Sequence, residues 1–253
     1  MASPVRFTSG FTQDAPWQPL GAMGQPDPFF YNNWFQDFDM PYPTGTVTNT
    51  LGGGGSIALT AGDGGIELFT TNASTPLVTD YVSQQSAIAS FALVAGKKTF
   101  FLCRMNLSDV VNAAFVQGLV SPNTTPFTSI QDGITFSKGT GGTTITLTSI
   151  VGGVTTGSVA IPTAAFTLAN NTYFDLGFVV TQQGEIRVFA NNNSVGYIPQ
   201  SGTGATTPNR GAVAAVTPTS LTAVVLAPLS AVNSGTATSK TMSMDYLLVA
   251  RER

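Results

Sequence analysis

Along most of the chain, apolar residues alternate with Thr, Ser, Asn and Gln at a spacing of two, the period of a half-buried β-strand, and Gly and Pro punctuate the runs. The pattern is strongest between Lys97 and Val120. Phe101, Cys103 and Met105 fall on one side of an extended segment and Phe100, Leu102 and Arg104 on the other, and a second apolar run follows from Ala114 to Val120. Both runs are expected to be central strands of a packed sheet. Ser108 and Asp109 between them suit a cap for one helical turn or a loop, so the two strands either neighbour each other or cross between sheets.

Further strands are expected over 34–40, closed by Pro41 and Pro43, and over 56–60 and 66–70 on either side of a Gly-rich turn. Others fall at 86–94, 134–137, 143–150, 159–161, 173–181, 185–190, 195–198, 221–226 and 242–250. Gln182-Gln183-Gly184 is the clearest hairpin turn, residues 163–166 suit a brief helical turn, and 199–220 is a loop of Gly, Thr and Pro. About thirteen short strands at hairpin spacing, with almost no helical period, require two sheets packed face to face. No repeat of fixed length is present, which disfavours a propeller or a solenoid.

Residues 1–33 differ from the rest. Pro4, Pro16, Pro19, Pro26 and Pro28 break any long element, yet Phe7, Phe11, Trp17, Phe29, Phe30 and Tyr31 make the segment too aromatic for a free linker. It is expected to be an extended arm that buries these six aromatics in an interface, leaving 34–253 as one sandwich domain.

Composition narrows the function. Charged residues are 9% of the 253, against a typical ~25%, so hydroxyls and amides must hydrate the surface. With little charge repulsion, such a surface suits a dense array, although a stable extracellular β-protein could share the composition. A net charge of −3 with scattered basic residues gives no footprint for nucleic acid. No run approaches the ~20 apolar residues of a membrane span, and the first ten residues lack the apolar core of a signal peptide, so the chain is expected to be made in a cytoplasm and to stay soluble or leave by another route. The single cysteine, Cys103, sits in an apolar strand and reads as a small core residue.

The absence of histidine excludes His-dependent triads and zinc sites. Glu67, Glu185 and Glu252 are isolated, so paired carboxylates at Glu-x-Asp-x-Glu spacing, which would share one face of a strand, are missing. Asp175 and Glu185 are read as strand-surface charges with Arg104 and Arg187 as partners. Asp37, Asp39 and Asp245 are weak calcium candidates, because the dense acidic loop that calcium favours is missing; no cofactor is expected. Trp17, Tyr31, Trp34, Tyr42, Tyr81 and Tyr197 are candidate sugar-stacking rings, with core or subunit packing as the favoured reading.

The order of these segments resembles the concanavalin A-like jelly-roll sandwich, in particular its versions in virion proteins of tailed bacteriophages. The resemblance is carried by Trp34-Phe35-Gln36-Asp37-Phe38-Asp39, Thr99 to Met105, Val116-Gln117-Gly118-Leu119, Asp132 to Phe136, Asp175 to Val180, Gly184 to Phe189 and Met244 to Val249. It implies an all-β, two-sheet antiparallel sandwich. It also implies a structural virion protein and no enzyme: a capsid decoration (cement) protein, a homotrimer bound to the major capsid protein on the outer surface of a phage head. The alternative is a host-adhesion module of a head fibre or tail that binds surface glycans.

Overall fold

The computed structural model describes residues 31–38, 45–60, 65–72, 80–87, 91–162, 167–199, 221 and 224–253. Within them the chain forms sixteen strands and one short 3-10 turn at Gly52–Gly54. The strands are β1 (Tyr31–Gln36), β2 (Val47–Leu51), β3 (Ser56–Thr60), β4 (Ile66–Thr70), β5 (Tyr81–Ser86), β6 (Phe91–Ala92), β7 (Thr99–Leu107) and β8 (Ala113–Val120). They continue with β9 (Gly133–Lys138), β10 (Thr146–Val151), β11 (Val154–Ala160), β12 (Phe174–Val180), β13 (Ile186–Ala190), β14 (Asn193–Ile198), β15 (Val225–Ser234) and β16 (Thr241–Glu252). The first sheet runs β11-β10-β9-β8-β15-β5-β2, with β6 also on β15; the second runs β14-β13-β12-β7-β16-β4-β3, with β1 also on β16. This is the expected all-β, two-layer antiparallel sandwich.

The two strongest strands turn out to be partners across the layers. β7 lies in the middle of the second sheet and β8 in the middle of the first. Their alternation explains why. Phe101, Cys103, Met105 and Leu107 of β7, and Ala113, Phe115 and Leu119 of β8, all enter one core cluster. Rings bridge the layers there: Phe136 of β9 packs on Phe178 of β12 at 6.1 Å between centroids, and Phe178 stacks on Phe101 at 5.1 Å. Each fully buried side chain of this size contributes about 1.5–3 kcal/mol.

Asp109 organises the crossover between β7 and β8. Its Oδ1 accepts the backbone N–H groups of Val111 and Asn112 at 3.1 and 3.0 Å, and its Oδ2 accepts the Lys240 ammonium at 2.8 Å. These partners hold its carboxyl well below the usual carboxylate range, with the Lys240 bond the largest cause.

Three strands depart from the pattern expected of the sequence. The opening strand spans Tyr31–Gln36 and not 34–40, and the backbone leaves the sheet at Phe38, whose φ is +52°. Of the 86–94 segment, Ser86 closes β5, Phe91–Ala92 is β6 and residues 88–90 lie outside the described residues, while the polar run at 81–86 is a full strand. The strand expected at 221–226 is the much longer Val225–Ser234. Its Pro228 sits in a central strand, a position that normally excludes proline. The register supplies the reason. On one side β15 pairs with β6 only at Val225 and Leu226, and with β5 only from Leu229 onward, so Pro228 falls in the gap between two short partners where no ladder bond is needed. On its other side, Gly118 of β8 lets the neighbouring β9 approach, since a Cβ at Gly118 would lie 2.2 Å from the Ile134 carbonyl oxygen.

Polar β5 is held in place from within the core. Gln84 Nε2 donates to Glu67 Oε1 at 2.8 Å, a bond that spans the two layers from β5 to β4. Glu67 is only 4% exposed, and burial pushes its carboxyl up from 4.5 to about 7, against the opposing effect of the Gln84 bond. The folded state therefore favours the protonated acid. The stability tied to that proton is fully present below pH 4.5, is lost as pH rises toward 7, and amounts to about 3 kcal/mol. Urea unfolding of Glu67→Gln should show a flatter stability profile between pH 4.5 and 7 than the parent chain, and a higher midpoint at pH 8; an unchanged profile would remove Glu67 as its source.

Candidate functional site

The jelly roll leaves an open pocket of about 340 Å3 on the outer face of the first sheet, between β8, β9 and the loop 121–132. Its floor follows from strand alternation. Phe115, Ile134 and Phe136 turn into the core, so Val116, Thr135 and Ser137 face outward. Its wall is Pro126, Phe127 and Ile130 from the loop. Val116, Val120, Leu229 and Ala231 form a small apolar cluster on this outer face, and Phe127 and Ile130 pack over it.

Gln85, on the outward side of β5, fixes the loop. Its Oε1 accepts the Asn123 N–H at 2.8 Å, and its Nε2 donates to the carbonyls of Val120 and Ser121 at 3.3 and 3.2 Å. Asn123 Oδ1 in turn accepts the Thr125 N–H at 2.6 Å, and its Nδ2 donates to the Ser129 carbonyl. The Tyr81 hydroxyl donates to the Thr124 carbonyl, and its ring lies 5.7 Å from that of Phe127. At the loop's far end Asp132 Oδ1 accepts the Gly152 N–H at 2.9 Å. The wall is thus built before any ligand arrives.

The pocket is electrically quiet. Its one charged lining residue, Lys138, is itself buried, and its ammonium donates to the carbonyls of Gly139 and Gly142 at 2.8 Å each. Burial lowers that amine to about 8, with the Asp109 charge opposing the shift. No Asp or Glu lines the pocket among the described residues. An aromatic and apolar wall beside hydroxyl groups suits a neutral, hydroxyl-rich ligand.

A second polar group lies on the outer face of the other sheet. Arg104 of β7 meets Asp245 at 3.4 Å, where a bulge interrupts β16, and its guanidinium stands over the Tyr173 ring at 5.5 Å. Asp175 is opposite Arg104 in the ladder and accepts the Tyr246 hydroxyl at 3.0 Å. Burial raises the Asp175 carboxyl, while Arg104 and the Tyr246 bond oppose that rise. Glu185 sits at the other end of the β12–β13 hairpin and pairs with Arg187 at 2.7 Å, so Asp175 and Glu185 are not brought together.

The remaining candidates divide as follows. Phe7, Phe11, Trp17, Phe29 and Phe30, with Tyr42 and Asp39, lie outside the described residues, as does the side chain of Tyr31. Asp245 is engaged with Arg104. Among the described residues no group of three His, Cys, Asp or Glu is placed to hold a metal ion. Trp34 packs against the main core, Tyr81 supports the loop and Tyr197 is buried. Cys103 is buried, and burial drives its thiol well above the ordinary value. Sequence reasoning missed Phe127, because it considered only Trp and Tyr as stacking rings. Its one signal is a lone aromatic after Pro126 in a loop that is mostly polar.

No family model matches the chain, and no curated protein does. Solved structures do. The chain resembles the Bacillus licheniformis β-glucanase at 12% identity and a TM-score of 0.54, over 86% of this chain and 97% of that one. An endo-1,3-β-glucanase from Streptomyces sioyaensis matches at 13% identity and 0.58, over 89% and 98%. The CBM2 module of the evolved Dit of Lactobacillus casei BL23 phage J-1 matches at 9% and 0.51, over 87% and 96%. These likenesses show the fold, that of the concanavalin A-like sandwich. They also correct the expectation that the chain is no enzyme: this is a sandwich on which glucanases are built, so a missing histidine and a missing Glu-x-Asp-x-Glu strand do not take catalysis off the table.

Replacing Gln85 by Ala removes three bonds to the loop and leaves its polar groups short of partners. Hydrogen exchange should speed up across 121–131 and the chain should lose about 1–3 kcal/mol of stability; unchanged exchange in the loop would show that Gln85 does not hold it.

Proposed function

We propose that this chain is a carbohydrate-binding sandwich carried on a bacteriophage particle, and that a neutral glycan is engaged in the Phe127 pocket. The observation that carries the reading is the pairing of a prebuilt aromatic wall with a hydroxyl-bearing floor that presents no free charge. A sugar ring offers both an apolar C–H face and a rim of hydroxyls, which match the Phe127 ring and the Ser137, Thr128 and Ser129 hydroxyls. The similar solved structures support the ligand class, since two are glucanases and one is a CBM2 module from a phage. The virion setting draws support from that phage module and from the sequence resemblance.

A second reading is favoured by a separate observation. Residues 139–162 contain no charged side chain, and their turns at 139–144 and 152–155 are exposed, so this end of the first sheet lacks the repulsion that keeps copies and neighbours apart. That suits a capsid decoration protein lying on major capsid protein subunits. Co-sedimentation with empty heads, and a rise in their thermal stability, would support this second reading; a chain left in the supernatant would count against it.

For the glycan reading, the parent chain and Phe127→Ala are passed over a panel of immobilised β-glucans and bacterial surface polysaccharides. Retention of the parent on one neutral polysaccharide is expected, with affinity weakened about tenfold or more in the variant, the equivalent of ~1.4 kcal/mol. An unchanged unfolding midpoint would show that the variant still folds. Release of reducing ends would show that the chain also hydrolyses the glycan, at carboxyls outside this pocket. If no polysaccharide retains the chain, the reading fails.

A further inference from the structure

One side of the sandwich is unfinished. β2 is the last strand of the first sheet and β3 the last of the second, and the Gly52–Gly55 turn joins them, so the two sheets end together. Among the described residues, β2 pairs only with β5 and β3 only with β4. Each therefore turns a row of backbone N–H and C=O groups outward, a template for another strand.

Soluble sandwiches blunt such edges with charge, above all inward-pointing Lys, or with Pro. Here neither strand has any. No charged residue occurs from Met40 to Gly62. The register shows what points inward instead. Val47, Asn49 and Leu51 lie opposite the inward-facing Ser86, Gln84 and Val82, and Ile57 and Leu59 lie opposite Phe69 and Glu67. Leu51 is 49% exposed and Leu59 38%. Large apolar side chains that belong to the space between the layers are thus left facing water where the layers stop. Meanwhile Thr48, Asn49, Ser56, Ala58 and Thr60 are exposed, so none of the described residues obstructs approach in the plane of the sheets.

We propose that this edge joins two copies of the chain, β2–β3 of one against β2–β3 of the other, antiparallel about a two-fold axis. A second copy fits because it offers, at the same separation, two uncharged edges and the same inward apolar residues. The layers then continue across the axis, and Val47, Leu51, Ile57 and Leu59 of both copies close one inter-layer core. A lone strand from another protein would satisfy one ladder and leave the inter-layer residues wet. The association is independent of the Phe127 pocket, which lies on a face and not on this edge. It makes the working unit a pair, in place of the trimer expected from the sequence.

The test is sedimentation equilibrium of the full chain at concentrations on the order of 1–100 µM, for the parent, Asn49→Lys, Leu59→Lys, and Val154→Lys on the opposite edge strand β11. All three substituted positions are solvent-exposed, and far-UV dichroism with thermal unfolding verifies that each variant folds. The parent and Val154→Lys should sediment as dimers, and Asn49→Lys and Leu59→Lys should dissociate about 100-fold more readily. A monomeric or trimeric parent overturns the proposal, as do edge variants that dimerise like the parent. A monomeric parent that captures an extended peptide along β3 would replace the second copy with a foreign strand and so also overturn it.

Discussion

The structure depends on one constraint: a chain that crosses from one layer to the other must arrive with its apolar side facing the layer it has left. β7 and β8 meet it at the centre of the core over a short path. Leu107 ends one strand facing inward and Ala113 begins the other facing inward, with five residues between. Asp109 makes so short a crossing possible, because one carboxylate satisfies two backbone N–H groups of the link and ties them to Lys240 at the start of β16. The phenylalanines of both layers can then interdigitate, and the remaining strands add outward from these two centres.

Where apolar alternation was strong, the sequence disclosed both strand and face. β7, β8, β12 and β13 all lie where the pattern of Phe, Val, Leu and Ile places them. It failed where the fold uses polar residues in strands. β5 is Tyr-Val-Ser-Gln-Gln-Ser, with no apolar stripe to betray it; its Gln84 is accommodated by a carboxyl from the other layer and its Gln85 by the carbonyls and N–H of a loop. Those partners are distant in the chain, so no local reading could supply them. β15 was hidden by Pro228, which is harmless only because two short strands share one side of β15 and leave a gap there. Such a gap is a property of the assembled sheet.

The pocket shows the same division. Its floor could have been inferred from the period-two pattern of β8 and β9, but its wall depends on Gln85, Asn123 and Tyr81 converging on one loop from separate places in the sequence. The fold is shared with glucanases and with a phage CBM2 module at identities of 9–13%. At that distance it is the local chemistry of the Phe127 wall and the hydroxyl floor that distinguishes this molecule. The quiet electrostatics of the pocket, with the Lys138 ammonium engaged by carbonyl groups, are what the proposed neutral ligand requires.

The outer face of the first sheet as the working surface is the claim on which the account stands. Methyl-resolved NMR during titration with soluble β-glucan oligosaccharides tests it most directly, because Val116, Val120, Ile130 and Leu229 report from that face while Leu102, Val179 and Leu248 report from the outer face of the second sheet. The account predicts saturable shifts confined to the first group and to the Phe127 ring. Shifts confined to the second group, or none at any concentration, would contradict it.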